Sequence, residues 1–172
     1  MEMALADPRE HLVDWLRDAY AMEGQAVSML ETQASRLESY PQAQMRIQEH
    51  LDMTQRQREA IRECLEQLGS DPSVLKEVAQ KTIANVQGLF HAMSEDEVLK
   101  HALGGYAFEH FEAASYRMLA AAARVIGEPR IAEVCERIQR EEEDMADWFW
   151  GEMTNLTEEF LNRSRVGIVA KR

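Results

Sequence analysis

The chain has 172 residues, 45% of them apolar, which is enough for one domain with a true core. Its net charge of −12 argues against a nucleic-acid partner, whose phosphates call for a basic surface, and against docking on anionic membranes. Good helix formers are abundant, Gly and Pro are few, and no stretch alternates with period two, so the expected class is all-α.

The N-terminus lacks a basic stretch followed by an apolar one, and no apolar segment approaches the length of a membrane span. Cys64 and Cys135 form no Cys-x-x-Cys motif. The expectation is a cytoplasmic protein with reduced thiols.

Asp7-Pro-Arg-Glu10 reads as a cap, a first-turn proline and an acidic third position, opening a helix over 8–38. Leu12, Leu16, Ala19, Glu23, Ala26 and Leu30 make its inner stripe, with Trp15 and Tyr20 beside it. Pro41 starts a second helix over 41–68, closed by Gly69. Its stripe is Ile47, Leu51, Thr54, Ile61, Leu65 and Leu68, with His50, Gln57 and Arg58 at the margins. Asp71-Pro72 opens a shorter crossover helix over 72–91.

Ser94-Glu-Asp-Glu97 reads as a capping box for a helix over 95–126. Gly104-Gly105 weakens that helix by roughly 1 kcal/mol per residue relative to Ala, which points to close packing or a bulge. Gly127-Glu-Pro129 ends it and opens a helix over 129–153. The inner stripe there is Ile131, Val134, Cys135, Ile138, Glu142, Met145, Phe149 and Met153. In Trp148-Phe-Trp150 one aromatic belongs to the core and another to a subunit contact or the C-terminal tail. The tail, 154–172, carries a short helix through Phe160 and Leu161. The whole chain, 1–172, reads as one domain.

The feature that stands out is Tyr106–Tyr116, where Glu109, Glu112 and Tyr116 share an otherwise apolar stripe by steps of three and four. Buried charge is expensive unless it is paired, hydrogen-bonded or bound to metal. The long connection between the second and third long helices lets the four long helices run up-down-down-up. Counted from one common end, Glu23 lies about 15 residues along, Glu112 about 14, Glu109 about 17, Glu142 about 13 and His50 about 18, at 1.5 Å each. Four helices thus bring carboxylates and an imidazole to one layer, where a cation or protonation must relieve the repulsion.

Four stretches carry a family resemblance: Leu16–Glu23; His50–Thr54 with Leu65–Gly69; Glu109–Tyr116; and Glu141-Glu-Glu143. In them the chain resembles the bacterial YciE/YciF-like branch of the ferritin-like superfamily. The resemblance implies a ferritin-like four-helix bundle with a crossover helix, a homodimer, an association with stress responses, and a core metal site that is not general among members. The pattern departs from the usual one, since no Glu is followed three residues later by His. The candidate metal ligands are Glu23, one of Glu49, His50 or Asp52, then Glu109, Glu112 and Glu142. Tyr116 is a hydrogen-bond donor to a core carboxylate, and His110 a boundary residue beside the site. His11, His91 and His101 are assigned to the surface.

Two readings stay open. In one, the layer binds iron or manganese, one ion or two, for handling metal or peroxide under stress. In the other there is no metal, and Glu, His, Arg and Tyr form a hydrogen-bonded network in a non-enzymatic stress or interaction protein. Glu23 could equally be a ligand or a partner of Arg58 or a tyrosine.

Overall fold

The computed structural model describes residues 7–70 and 96–170. These form four helices: α1, Pro8–Arg36; α2, Pro41–Gln67; α3, Glu97–Val125; and α4, Pro129–Arg165. Among the described residues there is no strand. The segment expected to hold the crossover helix, 72–91, lies outside them.

Local chemistry sets the helix ends. The Asp7 carboxylate accepts the Arg9 backbone N–H at 2.9 Å, satisfying one orphan donor of α1. Proline occupies the first turn of α1, α2 and α4, where no hydrogen bond is lost. Gly69 and Gly127 take φ of 79° and 81° just past α2 and α3. Each closes its helix with a bond running back five residues, Ser70 N–H to Leu65 C=O and Glu128 N–H to Ala123 C=O.

Helices α1 and α2 pack as one hairpin, α3 and α4 as another. Two apolar clusters hold the bundle together. One joins Leu12 and Leu16 of α1, Ile61 and Leu65 of α2, Leu119 and Ala123 of α3, and Ile131 and Ile138 of α4. The other joins Leu30 and Ala34, Ile47 and Leu51, Val98 and Ala102, and Met145 and Phe149. The start of α1 therefore shares a cluster with the ends of α2 and α3 and the start of α4. Between the clusters, buried side chains turn polar. Cys64 and Cys135 are free thiols within the first cluster. Burial pushes them to about 11 and about 12, so both stay protonated and inert.

Several expectations need correction. No separate C-terminal helix exists: α4 runs unbroken to Arg165, because Phe149, Leu156 and Phe160 continue its apolar stripe. Asp96 is the N-cap of α3, with no side-chain bond to the helix's own first turn, and the expected cap Ser94 lies outside the described residues. Glu97, expected in the cap, is buried in an ion pair with Arg36. His101 is buried as well, 4.0 Å from Glu97. At Gly105 close packing is the reason for the glycine, since a Cβ there would fall on the Phe149 ring. Phe149 is the core member of the aromatic triplet, while Trp150 is exposed and lies against Tyr106.

The last turns of α4 overshoot α3 and reach the α1–α2 connection. Arg163 donates to the Ser39 carbonyl at 2.7 Å, and the Tyr40 hydroxyl donates to the Ala170 carbonyl at 2.6 Å.

Candidate metal centre

Seven polar side chains fill the layer between the clusters: Glu23 from α1, His50, Thr54 and Gln57 from α2, Glu109 and Glu112 from α3, and Glu142 from α4. All are buried. Each helix delivers them because its inner stripe carries a polar residue at mid-length. On α2, His50 follows Ile47 by three and precedes Thr54 by four, so it faces inward with them.

The groups fall into two halves. On one side, His50 Nε2 lies 3.1 Å from Glu109 Oε2 and 3.4 Å from Glu142 Oε2. Among the described residues, these three form the group whose ligand atoms all lie within 4.8 Å of one another. On the other side, the Tyr116 hydroxyl donates to Glu23 Oε1, with Glu112 close by. Arg58 does not reach Glu23; its guanidinium lies 4.5 Å over the Tyr20 ring.

Electrostatics marks the layer as charge-starved. Burial lifts Glu109 to about 7. Burial first, then the facing Glu109, raises Glu142 well above the carboxylate range. Burial and Glu142 do the same to Glu23, against the pull of the Tyr116 hydrogen bond. Burial and Glu23 raise Glu112. His50 is pushed down by burial, which favours the neutral imidazole a metal needs. Both Glu142 oxygens, Glu112 Oε1, Glu23 Oε2 and His50 Nδ1 are buried without a hydrogen-bond partner. Orphaned acceptors on four helices are what a cation would satisfy, so the residues fit one.

Three sequence candidates are not brought into the layer. Glu49 is exposed and pairs with Arg46 at 3.6 Å. Asp52 is exposed and accepts from Gln48 at 3.4 Å. His110 is exposed, edge-on to the Tyr106 ring at 4.5 Å. One buried neighbour was placed only at the margin. Gln57 is fully buried and donates to Glu141 Oε2 at 3.0 Å, while its own oxygen has no partner. Its position three after Thr54 and four before Ile61 is the signal that places it inside.

A family profile described as Domain of unknown function (DUF892) matches residues 7–162. The chain belongs to this family. It is similar to a protein from Xanthomonas campestris pv. campestris known from its crystal structure, at 40% sequence identity and a TM-score of 0.78. The match covers 92% of this chain and 99% of that one.

In this DUF892 chain the buried His50, Glu109 and Glu142 group could hold a metal ion, and its ligands can be set against a two-ion pattern. Carboxylate-bridged pairs in bundles take a Glu-x-x-His from each of two helices and a Glu from each of the others. Here α2 offers Ile47-x-x-His50 and α4 offers Glu142-x-x-Met145, with Ile47 and Met145 both packed into the second cluster. One His and one Glu therefore remain where two of each are usual. Among the described residues no helix is long and apolar enough to cross a membrane.

Proposed function

We propose that this DUF892 protein is a ferritin-like bundle, in up-down-down-up order, that binds one iron or manganese ion per chain through His50, Glu109 and Glu142. The convergence of those three buried ligands within 4.8 Å carries the reading. The helix order is supported by the two clusters, which put the ends of α2 and α3 together. An imidazole with carboxylates suits iron and manganese, and an ion bound there would supply one-electron redox chemistry or Lewis acidity. Glu23 and Glu112 sit beside the ion as carboxylates that take up charge, with Tyr116 holding Glu23 in place. The family resemblance adds a setting, the handling of metal or peroxide under stress.

Protein purified without chelator and loaded anaerobically with Fe(II) or Mn(II) is expected to hold about one ion per chain by elemental analysis. Glu142→Gln should lose that ion while keeping its fold, since the amide removes a ligand and a crowded charge together. Wild-type protein that stays far below one ion after loading would sink the proposal.

The Tyr116–Glu23 and His50–Glu109 hydrogen bonds favour a second reading, a metal-free network in an interaction protein. The same loading experiment separates the two.

A further inference from the structure

A cation bound by His50, Glu109 and Glu142 must cross from water into a layer closed above and below by apolar clusters. Its way in runs through a seam between neighbouring helices, and three of the four seams are unsuited to it. Between α1 and α3 lies a groove walled mainly by Met22, Phe108, Phe111, Met118 and Leu119, apolar side chains that cannot replace lost water. Between α1 and α2 the Arg58 guanidinium covers the Tyr20 ring and would lie 3.5 Å from a Cβ at Gly24. A fixed positive charge therefore stands one residue from Glu23 and repels a cation. Between α3 and α4 the Phe149 ring lies on the Gly105 backbone, and Ala113 and Ala146 are buried.

The seam between α2 and α4 differs. Among the described residues it carries polar side chains without a break from the surface to the layer. Arg137 is exposed and donates from Nη1 to both Glu141 oxygens, at 3.1 and 3.3 Å. The Glu141 side chain is 25% exposed and accepts from Gln57 Nε2 at 3.0 Å. Gln57 is fully buried, and its amide lies beside Glu142. The Gln57 Oε1 atom has no hydrogen-bond partner. An amide anchored by its nitrogen, with its oxygen bare in the interior, costs stability unless something positive visits that oxygen.

We propose that Glu141 and Gln57 form the entry path for a divalent cation, with Arg137 as its gate. Glu141 draws the hydrated ion to the mouth, and Arg137 gives up its ion pair and turns to the water that already reaches it. Gln57 Oε1 then takes the place of a lost water, and Glu142 receives the ion at the inner end. Oxygen donors in succession keep a hard cation from being stripped before its ligands are at hand. Glu141, the member of the acidic run that the core layer leaves unused, thereby has a role. This rests on His50, Glu109 and Glu142 being the ion's ligands. A residue on the path alters uptake and release together, whereas a ligand alters the dissociation constant.

Rapid mixing of the metal-stripped full chain with Mn(II) tests this, with the free-ion EPR signal reading uptake and an EDTA chase reading release. Glu141→Gln should slow both about tenfold, the scale of one charge removed from a half-shielded mouth, with stoichiometry and dissociation constant within about threefold of wild type. Gln57→Leu should slow uptake at least as much, since it puts an apolar group where the ion needs an oxygen. Arg137→Gln should speed uptake several-fold, whereas Arg58→Gln, on the α1–α2 seam, should leave it unchanged. Glu141 is half-exposed, so circular dichroism should show that variant folded, and its result stands whether or not the buried Gln57→Leu folds. A wild type that takes up no Mn(II) at equilibrium overturns the ion site and the path together. A wild type that fills, with Glu141→Gln filling at the same rate, overturns the path alone. So does Arg58→Gln outpacing Arg137→Gln, which moves the entrance to the other seam, or a Glu141→Gln protein that loses the ion, which makes Glu141 a ligand.

Discussion

Glu142 is buried with neither oxygen hydrogen-bonded, Glu23 and Glu112 each have one buried oxygen without a partner, and Glu109 is buried beside them. Without an ion the layer must keep protons. Glu109 stands at about 7, and the others are also raised, against an unfolded value near 4.3. A carboxyl whose folded pKa is raised lends stability that is complete below the unfolded pKa and is lost as pH rises through the folded one. Metal-stripped protein should therefore melt at lower temperature as pH goes from about 5 to about 8, and a loaded ion should remove the decline. Thermal melts with chelator and with Mn(II) across that range check this; a flat profile in chelator would count against a proton-holding layer. The same residues show how far sequence could go. Glu23, Glu109, Glu112 and Glu142 lie on apolar stripes, so their burial was legible. The choice among Glu49, His50 and Asp52 was not, until spacing is weighed. His50 is three from Ile47 and four from Thr54, whereas Asp52 is four from the exposed Gln48 and Arg56.

Two glycines inside helices behave oppositely at the scale of the element. Gly105 of α3 is where the Phe149 ring of α4 lies against the backbone, so a methyl group there must displace the ring. Gly105→Ala gains about 1 kcal/mol of helix propensity but incurs an overpacking penalty of about 1–3 kcal/mol, for a net loss. Gly151 of α4 is exposed, with nothing within 4 Å of a would-be Cβ, so Gly151→Ala should stabilise by about 1 kcal/mol. Denaturant unfolding of the two variants should show midpoints moving in opposite directions. Sequence alone marked Gly105 as unusual without saying which neighbour required it, because the contact spans two helices. The length of α4 was misjudged for a different reason. Thr154, Asn155 and Thr157 have weak helix propensity, yet no Gly or Pro stands among them, and the buried Leu156 and half-buried Phe160 keep the stripe in phase.

At the scale of the whole molecule, two dry clusters flank one polar layer, and this plan follows from counting residues along each helix at 1.5 Å per step. The count works because all four helices are long and straight enough to keep register. It does not reach the contacts made at the helix ends. The clamp between Tyr40 and Ala170 joins positions 130 apart, and that between Arg163 and Ser39 joins positions 124 apart. Such contacts close most of the chain into a ring without a covalent bond. Closing a loop of that span carries a large entropic cost, so the clamp is expected to form after the rate-limiting barrier. On that expectation it is a latch on exit and not a guide on entry. Removing the residues after Arg165 should speed unfolding by about tenfold while leaving the folding rate nearly unchanged. Stopped-flow chevrons would show the unfolding arm rising alone; an equal fall in the folding arm would place the latch in the nucleus instead. A tail that contributes little to how the bundle is found can thus set how long it persists.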